Sequence, residues 1–175
     1  MNPGVDVPGS ASPEVESTAD SRWATEGVVA GLLGAAVISL WFLILDTLNG
    51  RPLYTPTVLG IAVFRHGAGL ENPELLPVSG EMVLMFTWVH VLMFIVIGGL
   101  ASRLVALAEK SANYGFGIVL LVVIFEFGFL AAAMMFAEQV LHALTIPAIL
   151  IGNLLATGAI AGYFWRHHRG LRILP

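Results

Sequence analysis

The sequence predicts an all-α integral membrane protein, a four-transmembrane-helix bundle with a short extra helix in the first, outer loop. Of its 175 residues, 57% are hydrophobic and 11% are charged, whereas about a quarter of the residues in soluble domains are charged. Four stretches stay apolar for about 20 residues, which is the length of helix that crosses a bilayer. Glycine and alanine recur at helical spacing in these stretches, as they do where membrane helices pack closely.

The chain divides into a tail, a membrane domain and a second tail. Residues 1–22 are rich in proline, serine and acidic side chains and lack apolar periodicity, so we expect them to be disordered or bound to a partner. Residues 23–168 form the membrane domain, and residues 169–175 form a basic C-terminal tail. The predicted spans cover about 25–48, 80–106, 112–142 and 145–166, with an outer loop at 49–79.

The outer loop contains its own helical pattern. The first span ends at Asn49-Gly50-Arg51-Pro52, because glycine and proline both interrupt regular structure. Thr55-Pro56 then has the pattern of a helix cap followed by a proline in the first turn. The apolar residues Thr57–Phe64 are too few to cross a bilayer. They predict the short extra helix, which lies on the bilayer surface or on the mouth of the bundle.

Three polar side chains fall inside the predicted spans. His90 lies in the middle of the second span, Glu126 in the third and Asn153 in the fourth. His90 and Glu126 are each about 16 Å from the outer boundary, at ~1.5 Å per residue. Because ionisable groups in hydrocarbon need a partner or a water-filled cavity, we expect these two to face each other. Such a pair is either a proton relay or ligand site, or a buried hydrogen bond that fixes the register of two helices.

A second group of ionisable residues is predicted at the outer end of the spans, and it comprises Asp46, Glu81, Glu138 and His142. Glu138 and His142 are four residues apart and therefore share one helix face. Oxygen and imidazole ligands of this kind can hold a metal, but the repeated Glu-x-x-His pairs of a di-iron bundle are absent from the sequence. Ion pairing at the membrane boundary explains the same residues.

The residue types exclude several kinds of site. The chain has no cysteine, which removes disulfides, iron–sulfur clusters and thiolate metal sites. Only His90 among the histidines is deep, so a haem with two histidine ligands would need one of them from a partner. The sequence has no phosphate-binding glycine loop or nucleophile elbow, and no basic patch that would suggest nucleic acid. We therefore predict no cofactor, and the binding of haem, a quinone or a metal stays open.

Lysine and arginine residues beside the spans predict the orientation. Six of them lie on the side of the termini, and two, Arg51 and Arg65, lie in the outer loop. Positive charges concentrate on the cytoplasmic side of membrane proteins. We therefore expect a protein of the plasma membrane, the bacterial inner membrane, with both termini cytoplasmic.

No catalytic motif emerges, so the sequence favours a protein that is not an enzyme. We interpret it as a non-catalytic accessory or structural subunit of a larger membrane complex, respiratory or photosynthetic. Its partners would be the lipid bilayer and other membrane subunits, or further copies of the chain. The alternative is a protein that translocates protons or ions, or binds a quinone, haem or metal, through His90 and Glu126.

Overall fold

The regular structure in the described part of the chain is entirely helical. The computed structural model describes residues 13–70, 72, 75–110, 120, 123, 124, 127 and 145–168. Its helices are α1 (Pro13–Leu48), α2 (Tyr54–Phe64), α3 (Gly80–Lys110) and α4 (Ile146–His167). Among the described residues, three stretches are long and apolar enough to cross a membrane: Arg22–Leu48, Gly80–Glu109 and Ile146–His167. They indicate a helical membrane protein, whereas the predicted span at 112–142 lies almost wholly outside the described residues.

Helix boundaries differ from the expected ones mainly at the N-terminus. α1 begins at Pro13, inside the segment expected to be a disordered or partner-bound tail, although its apolar part begins only near Arg22. α3 begins at Gly80, as the sequence indicates, and continues to Lys110. α2 begins at Tyr54, three residues before the expected start. Polar helical turns that extend beyond an apolar stretch leave no hydropathy signal, so the early start of α1 could not be read from apolar length alone.

The three long helices have a defined direction, shown by contacts at both ends. At one end, which we call the Asp46 end, the indole Nε1 of Trp41 donates to the carbonyl of Ala148, at 2.9 Å, near the start of α4. At the other, the His168 end, the hydroxyl of Ser102 donates to the carbonyl of Trp23 at 2.8 Å. α1 therefore runs antiparallel to both α3 and α4, and α3 and α4 are parallel to each other.

Glycines bring the backbones of α1 and α3 into contact. A Cβ atom added at Gly27 would lie 2.6 Å from Cα of Gly99, and one added at Gly98 would lie 2.6 Å from the amide nitrogen of Gly31. Both distances are shorter than any real Cβ contact. Small residues at such positions allow close approach of helices in a membrane, where packing rather than hydrophobic burial drives association.

The described core consists of three layers along α1, which packs against both α3 and α4. The layer at the Asp46 end joins α2, α3 and α4 and comprises Val58, Ile61, Leu70, Met82 and Ile149. The middle layer comprises Ala35, Ile38, Phe94 and Ala156. The layer at the His168 end comprises Ala30, Val105 and Phe164. α1 is thus the helix against which α3 and α4 both pack, whereas α2 packs mainly against α3.

Candidate functional site

The structure places His90 in the middle of α3, where its ring is held between two phenylalanines of the same helix. The ring centroid of Phe86 lies 5.5 Å from that of His90, nearly parallel to it at 28°, and that of Phe94 lies 4.8 Å away. The ring also lies beside the backbone of Ala35 on α1. Its Nε2 atom is nevertheless buried without a well-formed hydrogen bond in the part of the chain that the structure describes. The imidazole therefore has unused hydrogen-bonding capacity.

His90 lines a cavity of about 550 Å³ that is bounded by all four helices. Most of its described lining residues are leucine, isoleucine, valine, phenylalanine and methionine, and the polar ones are Ser39, Asp46, Thr55, Thr87, His90 and Asn153. Small-molecule sites in proteins have volumes of ~300–1,000 Å³ and a mainly apolar lining with a few polar groups. The cavity fits that description and extends from the Asp46 end to the middle of the bundle.

Two of the three residues predicted inside the spans line this cavity. His90 does so from α3, and Asn153, which is 2% exposed, does so from α4. Glu126 lies outside the described residues. The pairing of His90 with Glu126 therefore stays a prediction, but the structure does bring His90 and Asn153 to one common space.

Asp46 lies at one end of the cavity and holds the start of α2. Its carboxylate accepts two 2.7 Å hydrogen bonds from Thr55, one from the amide and one from the hydroxyl. Both residues are buried, at 5% and 3% exposure. The N-cap position of α2 is Leu53 and makes no side-chain hydrogen bond, so the cap predicted at Thr55 is wrong. A carboxylate from the preceding helix satisfies the free amide and complements the positive end of the helix dipole instead.

The turn between α1 and α2 makes this contact sterically possible. Gly50 and Leu53 both have positive φ, at 70° and 67°, a conformation that is unusual for a leucine. The turn reverses the chain so tightly that Thr55 returns to Asp46, nine residues earlier. Arg51, within the turn, donates to the carbonyl of Leu76 at 2.7 Å and fixes the turn against the loop before α3.

Of the other residues of the predicted outer group, the structure describes only Glu81. Glu81 forms an exposed ion pair with Arg65, at 3.6 Å. Glu138 and His142 lie outside the described residues. Among the residues that the structure does describe, no three histidine, aspartate or glutamate side chains are grouped as metal ligands would be. A metal or ion-pair site that includes Glu138 and His142 stays a prediction.

The structure shows one ionisable cluster that sequence reasoning missed. At the His168 end, Nδ1 of His168 lies 2.7 Å from a carboxylate oxygen of Glu109, and Nε2 lies 3.0 Å from one of Glu26. This Glu26–His168–Glu109 cluster connects the start of α1 with the ends of α3 and α4. Burial lowers the pKa of His168, but the hydrogen bonds and negative charges of the two glutamates outweigh burial and raise it above its usual value.

In the sequence, His168 is the last residue of the predicted membrane domain, next to the basic tail, and its own pattern does not indicate a structural role. A signal was nevertheless available, because Glu26 and Glu109 both flank apolar stretches at the end where the last span finishes. An imidazolium donates from both nitrogens, and two carboxylates at one membrane boundary need such a donor. The cluster is therefore a charged junction of three helices at the His168 end.

Comparisons with known proteins add no family to this description. No protein-family model, no curated protein and no solved structure matches the chain.

Proposed function

We propose that the protein is a non-catalytic accessory or structural subunit of a larger membrane complex of the respiratory or photosynthetic kind. The observation that supports this most strongly is how the buried polar groups are used. Among the described residues, the only buried side-chain nitrogen or oxygen without a hydrogen-bond partner is Nε2 of His90. The contacts of Trp41, Asp46, Ser102 and His168 all connect helices or helix ends. Buried polar side chains that join helices to one another are typical of a structural subunit.

The proposed subunit has four spans, with both termini in the cytoplasm of a bacterial cell and the bundle in its inner membrane. α3 ends at the His168 end of the bundle, and α4 begins at the opposite Asp46 end. This supports a further span at about 112–142. Arg22, Arg103 and Arg166 lie at the His168 end, and Arg51 and Arg65 at the other. The excess of positive charge supports a cytoplasmic His168 end.

A face of α4 supports contact with another helix. Gly152 is covered by Trp41, whose side chain would lie 2.8 Å from an added Cβ, but an added Cβ at Gly158 or Gly162 would meet nothing within 4 Å among the described residues. Gly27 and Gly98 show that glycines in the spans of this chain allow close helix approach. We infer that the Gly158–Gly162 face receives a helix of another subunit or of a second copy.

A photo-crosslinking amino acid at position 162 tests this contact in native membranes. Another membrane polypeptide should be captured as a discrete adduct of higher mass. The same amino acid in place of Leu100, which is 51% exposed on α3, serves as the lipid-facing control. Adducts within the chain alone, or equal diffuse labelling at both positions, would contradict a partner on this face.

A second candidate function rests on the cavity beside His90. It is proton or ion translocation, or the binding of a quinone, haem or metal, through His90 with Glu126 and Asn153. An ionisable group within a span is costly unless it has a partner or a cavity, and His90 lines one. Dissipation of a pH gradient by the protein in liposomes, abolished in His90→Leu, would establish translocation. A gradient as stable as in empty liposomes would rule translocation out, and a haem would show itself in the visible absorbance of the purified protein.

A further inference from the structure

We propose that the cavity binds a neutral lipophilic molecule with a carbonyl-bearing ring, the chemistry of an isoprenoid quinone, with its ring beside Ser39, Thr87 and His90. This inference rests on the second candidate function and names its ligand.

The cavity has the length and the volume of a small-molecule site. Its lining residues on α3 extend from Val83 to Ile97, which is about 21 Å of helix axis at ~1.5 Å per residue. Its volume of about 550 Å³ lies within the range of ~300–1,000 Å³ that is usual for such sites. A flat ring that carries a hydrocarbon chain suits a space of this length and volume.

The polar lining residues favour a ring with hydrogen-bonding groups over a plain hydrocarbon chain. Ser39 is seven residues from Asp46 on α1, and Thr87 is seven residues from Gly80 on α3, so both lie roughly 10 Å from the Asp46 end. Both are exposed and both line the cavity. His90 follows Thr87 by three residues and so shares its helix face. Two hydroxyls and an imidazole at this depth are costly in hydrocarbon unless a polar group meets them.

The charge of the cavity favours a neutral ligand. No lysine or arginine is among the described residues that line it, and the carboxylate of Asp46 is. An anionic head group, such as that of a fatty acid or a phospholipid, would have no cation to meet there. Carbonyl oxygens accept hydrogen bonds from hydroxyl and imidazole donors without bringing a charge. A quinone carries such oxygens on a flat apolar ring, which also suits contact with Phe86 and Phe94.

The entrance is suited to a ligand that arrives from the bilayer. Leu40, Leu43 and Met93 line the cavity and are 58%, 40% and 56% exposed. They lie within the stretches of α1 and α3 that are apolar enough to cross a membrane. A molecule dissolved in the hydrocarbon can therefore reach the cavity without passing through water.

The test uses the full chain in lipid nanodiscs, with decylubiquinone as the probe. After equilibration the discs are repurified, and the extracted quinone is measured by its absorbance against empty discs. Wild type should retain one quinone per protein in a saturable manner. Thr87→Val keeps the side-chain shape and should raise the Kd about 2- to 10-fold, the loss expected for one hydrogen bond. Combining it with His90→Leu should raise the Kd more than ~10-fold.

Thr47→Val is the matched control. The hydroxyl of Thr47 donates to the carbonyl of Leu43, and Thr47 is not among the residues that line the cavity. This variant should bind quinone as wild type does. Equal binding by wild type, Thr47→Val and Thr87→Val/His90→Leu, or displacement of quinone by an equal concentration of palmitate, would overturn the proposal. Neither result bears on the subunit proposal, which depends on copurifying polypeptides.

Discussion

Removal of the Asp46 carboxylate is expected to weaken the attachment of α2 to the bundle. Asp46→Ala leaves the amide and the hydroxyl of Thr55, both buried, without the acceptor that they share at 2.7 Å. A hydrogen bond to a charged group contributes ~1.5–3 kcal/mol, so the two together correspond to about 3–6 kcal/mol. Asp46→Asn keeps one carbonyl oxygen as an acceptor, so it should lower the free energy of unfolding by about half as much as Asp46→Ala does.

The assay is thermal unfolding of the protein in detergent, followed by tryptophan fluorescence. A change of 1 kcal/mol shifts the Tm of a chain of this size by ~2–4 °C, so Asp46→Ala should lower it by at least ~6 °C. Glu81→Ala is the control. The carboxylate of Glu81 lies at the same end of the bundle, but it is 68% exposed and its ion pair with Arg65 is long, at 3.6 Å. Exposed pairs contribute ~0–1 kcal/mol. Equal melting of the Asp46→Ala and Glu81→Ala variants would refute the capping role.

Three further predictions follow from the other contacts. Because the folded-state pKa of His168 is raised, its contribution to stability should be full below about pH 6.5. That contribution should be lost as the pH rises through the folded-state pKa. The difference in Tm between wild type and His168→Gln should therefore become smaller with rising pH. A difference that grows with pH would contradict the assigned cluster. Gly152→Leu should lower the Tm, because overpacking typically costs ~1–3 kcal/mol of stability. Gly158→Leu should leave the Tm unchanged but release a partner. The reverse pattern would show that the two faces are misassigned. Replacing either His90 or Glu126 by leucine should leave its expected partner without a hydrogen bond and destabilise the protein by ~1–3 kcal/mol. The double variant should recover much of this stability. Strictly additive losses would mean that the two residues do not interact.

The sequence was sufficient to predict the three long apolar helices that the structure describes, because length and apolar composition are local properties. The stretches that begin at Gly80 and Ile146 start within a residue of where hydropathy places them. The close approach of α1 and α3 at Gly27 and Gly31 also follows from the spacing of small residues, which is a property of one helix at a time.

The contacts at the helix ends could not be predicted, because each depends on where separate helices finish relative to one another. Asp46 reaches Thr55 only because the turn after α1 includes residues with positive φ at Gly50 and Leu53. His168 meets Glu26 and Glu109 only because three helix ends coincide. The cavity likewise arises from the tilt and separation of helices, so sequence could single out His90 as buried and polar but could not show the space beside it.

Purification of the protein from its native membranes in a mild detergent shows directly whether it belongs to a larger complex. The chain alone has a mass of 18.7 kDa. We expect it to elute in a larger particle with at least one other membrane polypeptide, in a fixed ratio that survives a second, independent purification step. Elution as the chain alone, or as copies of itself with no other polypeptide in fixed ratio, would contradict a role as a subunit of a larger complex.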